Sequence, residues 1–210
     1  MDWSTDRIMF ARRYVDTICG VLGEFPIAEV GQALELLEGA LTDRRQVFLA
    51  GNGGSAATAS HMANDLSKTV GGADGSRPTF RAIALTDNVP LLAAWANDVG
   101  FEEVFVGQLR PLAQAGDVLI VLSGSGRSKN VVRVVEWARQ EGLRTIGLLG
   151  MDGGALRSMV DIAIVVPSDQ YGPIEDAHLI VNHLITAYFQ GHVERQRAGM
   201  AQAAKEPSHG

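Results

Sequence analysis

The sequence predicts an α/β fold, a three-layer α-β-α sandwich with a central five-stranded parallel sheet. From residue 46 onward, short apolar runs alternate with segments of helical periodicity, a pattern typical of a parallel sheet covered by helices on both faces. The 210 residues suit one domain, and the hydrophobic content of 46% supplies a substantial core. We expect residues 1–197 to form that single domain.

Two helices are predicted before the first strand. Residues 3–22 place apolar side chains at helical spacing, and Pro26 can open a second helix in its first turn. These helices have no preceding sheet to pack on, so we expect them to pack across the domain or onto another subunit. The predicted strands are 46–50, 80–85, 117–122, 144–149 and 161–166. The later helices are predicted at 55–69, 88–97, 128–141 and 174–195, with a further candidate at 101–113.

The composition limits the classes of partner and the compartment. A formal charge of −6 argues against nucleic acid or an anionic membrane as the main partner. No apolar run reaches the roughly 18 residues of a membrane span, and the N-terminus has no basic region before an apolar one, as a signal peptide would. The single cysteine, Cys19, suits a reducing compartment. We therefore expect a cytoplasmic protein with a disordered tail at residues 198–210.

The stretch after the first predicted strand is the main candidate site. Residues 51–55 read Gly-Asn-Gly-Gly-Ser between an apolar strand and a helix. Glycines let main-chain N–H groups approach a ligand closely, and a helix N-terminus is an anion site. Ser55 can cap the helix and also donate its hydroxyl. The loop therefore predicts a phosphorylated small molecule as ligand, with an ordinary tight β–α turn as the alternative.

A second loop repeats this plan after the third predicted strand. Residues 123–128 read Ser-Gly-Ser-Gly-Arg-Ser and lead into an apolar helix. Hydroxyls and main-chain N–H groups suit a phosphate monoester, and Arg127 can add charge-assisted contacts. Neither loop matches a P-loop or a dinucleotide-binding fingerprint. Because both loops follow strands of one open sheet, where ligands bind, a binding role is favoured over a solvated turn.

Imidazole and carboxylate groups recur at helical spacing on two predicted helices. His61 and Asp65 are four residues apart, so they share one helix face and suit a metal or proton transfer. On the last helix, Glu175 and His183 are eight residues apart and can point to the same broad side. His178 lies on that side too, where a satisfied interface histidine is the simpler interpretation.

Together, these motifs resemble the sugar isomerase (SIS) domain family. The resemblance spans roughly residues 5–195 and rests on the Gly51–Ser55 loop with His61, the serine loop, Val166-Pro167-Ser168 and the Glu175–His183 pair. Within the family, the chain is most similar to the phosphoheptose isomerases, which interconvert sedoheptulose 7-phosphate and a heptose 7-phosphate. The resemblance implies an aldose–ketose isomerase that acts on a seven- or eight-carbon sugar phosphate through a cis-enediol.

The resemblance also implies a role for individual residues. The phosphate would be held by Ser55, Ser123, Ser125 and Ser128, and the sugar would lie near Asn52 and Gly53. Further residues expected near the substrate are Asp87, Asn97 and Asp98. A zinc ion would be held by His61, Asp65, Glu175 and His183. The family is typically a homotetramer with active sites between subunits, an assembly that would bury the apolar stripes of the first two helices.

The chain departs from the family pattern at three positions. The family usually has Glu at Asp65, Gln at Glu175 and Arg at Pro173. Asp is one methylene shorter than Glu, and small errors of position matter greatly in proton transfer. The resemblance implies that Asp65, Glu175 and His183 are the catalytic residues. Because of these departures, the proton-abstracting role stays open between the two carboxylates, while His183 is expected to move a proton between the sugar oxygens.

Two other functions fit the same architecture. One is a non-catalytic SIS tetramer that binds a protein partner such as a replication initiator, but His61, His183 and their two acidic partners argue against a dead site. The other is a sugar-phosphate sensor, which usually carries a DNA-binding helix-turn-helix domain. The length of 210 residues leaves little room for such a domain.

Overall fold

The structure is a computed structural model that describes residues 6–72 and 77–203, with side chains described through residue 195. Five strands form the sheet: β1 (Gln46–Gly51), β2 (Arg81–Ala84), β3 (Val118–Ser123), β4 (Arg144–Leu149) and β5 (Ile162–Val165). The α-helices are α1 (Arg7–Gly23), α2 (Ile27–Thr42), α3 (Gly54–Asn64), α4 (Val89–Asp98), α5 (Val106–Leu109), α6 (Lys129–Gln140) and α7 (Tyr171–Ala203). Short 3₁₀ turns occur at Phe101–Glu103 and Ala155–Ser158, and a π-helical turn occupies Asp65–Thr69.

The five strands are parallel and lie in the order β2-β1-β3-β4-β5, which confirms the predicted sheet. The chain leaves β1 toward β2 on one side and later returns to place β3 on the other side of β1. The strand order therefore reverses between β1 and β3, where Gly51 pairs with Leu122 near the carboxyl ends. In open α/β sheets, this switch point is where ligands bind.

Alternating strand residues face two apolar layers, as period-2 side chains on a doubly covered sheet should. On β3, Ile120 and Leu122 pack with buried residues of α2, α3 and α7, whereas Leu119 and Val121 pack with α5 and α6. The three-layer α-β-α architecture predicted from the sequence is thus confirmed.

Helix α1 buries only Val21 among its residues. Ile8 and Val15 are 76% and 58% exposed, although their spacing predicts an apolar helix face. The helix lies against the start of α7, where the Tyr14 hydroxyl donates a 2.6 Å hydrogen bond to Asp176. Within the described part of one chain, the apolar stripe of α1 therefore stays exposed along most of its length.

Three predicted segments differ from the structure in detail. The candidate helix at 101–113 is a 3₁₀ turn followed by the four-residue α5, which ends at Leu109, although the next residue, Arg110, still has helical backbone angles. The predicted helix 55–69 changes from α to π geometry at Asp65. Helix α7 extends to Ala203, beyond the predicted end of the domain at residue 197, and residues 204–210 of the predicted tail lie outside the described residues.

In the described part of the chain, none of the helices combines the length and apolar character that crossing a bilayer requires.

Candidate active site

The two glycine- and serine-containing loops meet at the switch point of the sheet. Residues 52–54 follow β1 and lead into α3, while residues 124–128 follow β3 and lead into α6. The side-chain amides of Asn52 and Asn130 exchange two hydrogen bonds, both 2.9 Å long. Asn130 is 2% exposed, so this pair joins the first loop to the first turn of α6 on the buried side of the loops. The structure therefore brings the two predicted phosphate-binding loops together.

Two serine hydroxyls of the second loop accept main-chain hydrogen bonds, and the third makes no capping bond. Ser123 Oγ accepts a 3.1 Å hydrogen bond from the Gly126 amide, and Ser125 Oγ accepts one of 3.3 Å from the Arg127 amide. Ser128 stands at the N-cap of α6 but makes no side-chain capping bond. Its hydroxyl and the first N–H groups of α6 therefore remain available to an anion.

A neighbouring loop fixes the shape of the serine loop. Gly126 has φ = +63°, and a Cβ at this position would overlap the main-chain oxygen of Gly153. The Arg127 guanidinium forms a 2.5 Å ion pair with Asp152, which lowers the pKa of that carboxyl to about 2. Arg127 also donates to the Ser125 main-chain oxygen at 3.1 Å. Its charge is thus engaged by Asp152, and the hydroxyls and N–H groups are the main anion donors of the loop.

Three of the four predicted metal ligands lie together on the facing sides of α3 and α7. One possible ligand atom from each of His61, Asp65 and His183 lies within 4.8 Å of the other two. His61 Nε2 is 3.4 Å from Asp65 Oδ2, and the two imidazole rings meet edge to face with centroids 5.2 Å apart. Asp65 is buried, while both histidines are exposed. In this cluster, the carboxylate is therefore on the buried side and the two imidazoles are on the solvent side.

This donor set fits a divalent metal ion. Two imidazole nitrogens and one carboxylate oxygen are common zinc ligands, and catalytic zinc sites use three protein ligands with one position left open. The three donor atoms already lie within 4.8 Å of one another. The three residues fit zinc on both chemistry and placement.

One buried and one half-buried hydrogen bond hold the Asp65 carboxylate in place. Asn182 Nδ2 donates to Asp65 Oδ2 at 3.0 Å, and Thr69 Oγ1 donates to Oδ1 at 3.1 Å. Neither Asn182 nor Thr69 is among the site residues predicted from the sequence. Two signals could have found them: Asn182 interrupts an apolar helix face beside His183, and Thr69 follows Asp65 by four residues.

Glu175 is not part of the His61–Asp65–His183 cluster, contrary to the predicted four-ligand set. Its carboxyl lies against Gly54 at the N-terminus of α3, where a Cβ on that glycine would overlap it. Eight residues of helix separate Glu175 from His183, a rise of about 12 Å at 1.5 Å per residue, so the two side chains meet different levels of α3. A carboxylate at a helix N-terminus is electrostatically favoured, which accounts for this placement. Glu175 therefore stands beside the glycine loop, where the sugar is expected.

The remaining predicted substrate residues lie in two places. Asp87 follows β2 at the same edge of the sheet and accepts hydrogen bonds from Ser60 of α3 and from Thr86. Ser60 precedes His61, so Asp87 is attached to the helix that carries the cluster. Asn97 and Asp98 lie at the exposed end of α4, where Asn97 donates a 2.8 Å hydrogen bond to Asp98. The structure connects Asp87 to the site but leaves Asn97 and Asp98 on the outer surface of the chain.

His178 is buried in the core. Its Nε2 lies 3.1 Å from the main-chain oxygen of Leu149, while Nδ1 has no hydrogen-bond partner among the described residues. Burial lowers the pKa of His178 to about 4, so the ring is neutral at physiological pH. His178 is therefore a core residue joined to the end of β4, and with one ring nitrogen unpartnered among the described residues it differs from the satisfied interface histidine that was expected.

Comparisons with known proteins agree with this geometry. The family model described as "SIS domain" matches residues 13–150. A phosphoheptose isomerase from Nitratiruptor is 47% identical over 146 residues, covering 70% of this chain and 76% of the relative. Another from Geotalea daltonii is 40% identical over 164 residues, covering 78% and 84%. The solved phosphoheptose isomerase of Neisseria gonorrhoeae superposes with a TM-score of 0.80 at 30% identity, covering 88% of this chain and 97% of that one.

Proposed function

The chain belongs to the SIS domain family and, within it, to the phosphoheptose isomerases, and from this premise we propose its substrate and mechanism. It is a sugar-phosphate isomerase of the aldose–ketose type. We propose that it interconverts sedoheptulose 7-phosphate, or a related seven- or eight-carbon ketose phosphate, with the corresponding aldose phosphate through a cis-enediol. The observation that carries this proposal is the convergence of His61 and Asp65, on the helical segment that begins at the first loop, with His183 of α7.

We infer that the phosphate of the substrate binds at the second loop. Ser123, Ser125 and Ser128 offer hydroxyls there, Ser55 adds one from the first turn of α3, and the N-terminus of α6 adds main-chain donors. Binding of this remote group anchors the sugar, so that its binding energy helps to position the reacting carbons. Asn52 and Gly53 then face the sugar chain, with Asp87 at the next strand end.

Proton transfer needs one carboxylate near the carbon acid and one group near the two oxygens. Both oxygens of Asp65 are engaged by Thr69 and Asn182, whereas Glu175 lies against the glycine loop. We therefore assign the proton shuttle between C1 and C2 to Glu175, alone or shared with Asp65. His183 is the exposed imidazole that α7 contributes to the cluster, and an imidazole suits proton movement between O1 and O2.

We propose that His61, Asp65 and His183 hold one divalent ion, zinc by the chemistry of the donor set. When bound, such an ion polarises a sugar carbonyl and stabilises developing negative charge on its oxygen. The protein's own contribution is to hold a buried carboxylate and two exposed imidazoles at one point. Glu175, which the resemblance places among the ligands, remains outside this three-residue set.

We also propose a homotetramer in which active sites lie between subunits. The uncovered apolar stripe of α1 supports an interface there, and the outward position of Asn97 and Asp98 suits contact with a neighbouring subunit's substrate. We place the enzyme in the cytoplasm, consistent with its single, unpaired Cys19.

An NMR assay with sedoheptulose 7-phosphate tests the function directly. The expected result is the appearance of an aldose 7-phosphate, with a C1 proton of the ketose lost as the enediol forms and deuterium from solvent D₂O incorporated at C2 of the aldose. Related ketose phosphates, assayed with and without added zinc, define the chain length and the metal requirement. If no ketose phosphate is converted while the protein is a folded tetramer, the non-catalytic SIS module becomes the better description.

A further inference from the structure

Asn182 of α7 reaches the candidate site from inside the protein. The residue is fully buried, and its Nδ2 donates a 3.0 Å hydrogen bond to Asp65 Oδ2. The same Oδ2 atom lies 3.4 Å from His61 Nε2. One carboxylate oxygen is therefore held between an amide on its buried side and the cluster on its open side.

The second oxygen of Asp65 is held separately. Thr69 Oγ1 donates to Oδ1 at 3.1 Å, and Asn64 Nδ2 lies 3.4 Å from the same atom. Thr69 closes the π-helical turn that Asp65 opens, so its contact fixes the carboxylate relative to its own main chain. Among the described residues, the hydrogen bond from Asn182 is the only one that joins the carboxylate to α7, the helix that carries His183.

Burying the Asn182 amide lowers the stability of the folded protein. Its Oδ1 atom is buried and has no hydrogen-bond partner among the described residues. An unpartnered buried amide oxygen destabilises a protein, and an apolar side chain of similar size avoids that loss. On α7, Val181 and Ile185 beside Asn182 belong to such an apolar layer. The presence of an amide here is accounted for if its one hydrogen bond serves Asp65.

We propose that Asn182 is a positioning residue, which orients the Asp65 carboxylate so that Oδ2 faces His61 and His183. This inference rests on the proposed function, because it assigns Asn182 a role in that same site. Without the amide, the carboxylate keeps its Thr69 contact but loses the link to α7, and Oδ2 turns away from the two imidazoles. Asn182 acts only through Asp65 and touches neither the sugar nor the ion.

The test compares Asn182→Leu with the matched control Thr186→Val. Both residues are buried on α7 one turn apart, and the Thr186 hydroxyl donates to the Asn182 main-chain oxygen at 2.9 Å without reaching Asp65. Each variant is assayed for kcat and KM with sedoheptulose 7-phosphate. In parallel, chelator-treated protein is titrated with Co²⁺, whose visible absorption reports the affinity and geometry of the site independently of turnover.

For Asn182→Leu, we expect kcat to fall at least tenfold with KM within threefold, and the Co²⁺ dissociation constant to rise at least tenfold. Thr186→Val should stay within twofold of the wild type in all three quantities. In an Asp65→Asn background, Asn182→Leu should change neither Co²⁺ affinity nor residual kcat by more than twofold, because the carboxylate on which it acts is gone. If Asn182→Leu does not fold, Asn182→Ser, which is too short to reach Asp65, is measured in its place.

The outcomes separate this inference from the proposed function. Isomerase activity in the wild type with unchanged kcat and Co²⁺ affinity in Asn182→Leu overturns the positioning role alone. An equal loss in the Asp65→Asn background also overturns it, because Asn182 would then act on the fold in general. A wild type that binds Co²⁺ through Asn182-dependent geometry but isomerises no sugar phosphate supports the positioning role and refutes the proposed function. If the wild type neither binds Co²⁺ nor turns over, both fail together.

Discussion

Asn52 and Asn130 face each other across the switch point and exchange two side-chain hydrogen bonds of 2.9 Å. Each amide satisfies the other, so neither needs a ligand to complete its hydrogen bonding. The pair sets the distance between the loop after β1 and the helix after β3. A phosphate contacted from both loops therefore meets donors that are already in place, which is the arrangement that favours tight binding.

The Asn52–Asn130 pair predicts a substrate-affinity defect. Asn130→Leu keeps the volume of a buried side chain but removes both bonds, so the two loops lose their fixed separation. We expect KM to rise about tenfold or more, in line with the loss of one to two hydrogen bonds near a charged ligand, with a smaller change in kcat. Gln140→Ala, at the exposed far end of α6, serves as control. An unchanged KM in Asn130→Leu would show that the loops keep their spacing without the pair.

Removing hydroxyls from the serine loop should weaken phosphate binding. Ser128→Ala and Ser125→Ala each delete a donor to a charged group, a loss of about 1.5–3 kcal/mol, or about 10- to 150-fold in KM. Ser128 should give the larger effect, because its hydroxyl makes no capping bond in the structure. The control is Ser158→Ala, an exposed serine in the second 3₁₀ turn. Unchanged KM values in both loop variants would remove this loop from the site.

Three substitutions assign the acid–base and metal roles. Glu175→Gln should lower kcat at least about a hundredfold if Glu175 is the base, with Co²⁺ or Zn²⁺ affinity retained because its carboxyl lies at Gly54, outside the cluster. Asp65→Asn should chiefly weaken metal binding, and His183→Ala should abolish turnover. Full activity of Glu175→Gln together with inactivity of Asp65→Asn would return the base role to Asp65.

Removing and restoring the metal ion tests the His61–Asp65–His183 site without a substitution in the wild type. Treatment with a chelator should abolish activity, and stoichiometric Zn²⁺ should restore it in the wild type but not in His61→Ala or His183→Ala. Elemental analysis of the purified protein should find about one divalent ion per chain, as a site with three converging protein ligands predicts. Full activity after chelation, with no ion found, would exclude the metal from the reaction.

The buried His178 predicts a pH dependence of stability. Its pKa is about 4 in the folded protein and near 6.5 when unfolded, so the unfolded chain binds more protons between these values. Stability should therefore fall as the pH is lowered from about 6.5 to about 4, by about 3 kcal/mol for this group over the whole window. Urea unfolding at pH 7.5 and pH 5 should show a smaller decrease in His178→Leu, although that variant is less stable at pH 7.5. Equal decreases in both proteins would mean that His178 is protonated in the folded state.

The exposed stripe of α1 predicts an oligomer. Sedimentation velocity at micromolar concentration should show a tetramer for the wild type and smaller species for Val15→Glu, which places a charge in the expected interface. Arg139→Glu, an exposed change on α6, should leave the assembly intact. A monomeric wild type would contradict the proposed assembly.

The strands and loops were predictable from the sequence because their signals are local. Apolar runs followed by Gly- and Ser-rich loops specify β1 and β3 within a few residues, and the i, i+4 spacing brings His61 and Asp65 to one helix face. The approach of His183 to them was inferred from family resemblance, and the structure places it there.

What the sequence could not predict depends on how α3 and α7 are aligned. Glu175 and His183 share a broad helix side, but which level of α3 each one meets is set by the packing of the two helices. The structure places Glu175 at Gly54 and Asn182 at Asp65. The same applies to Asn130, whose partner lies 78 residues earlier in the chain.

The π-helical turn at Asp65–Thr69 has a consequence for engineering this helix. A π turn contains one residue more than the α turn it replaces, and its Val70 amide bonds to the Asp65 main-chain oxygen five residues back. Deleting one residue within the turn would restore a regular helix and leave the downstream chain nearly in phase, because the π turn already absorbs the extra residue. The deletion would, however, shorten the spacing of Asp65 and Thr69 from four residues to three and so disrupt the 3.1 Å hydrogen bond between their side chains. The spacing inside this turn is therefore part of the site, even though the core packing on either side of the turn could survive its loss.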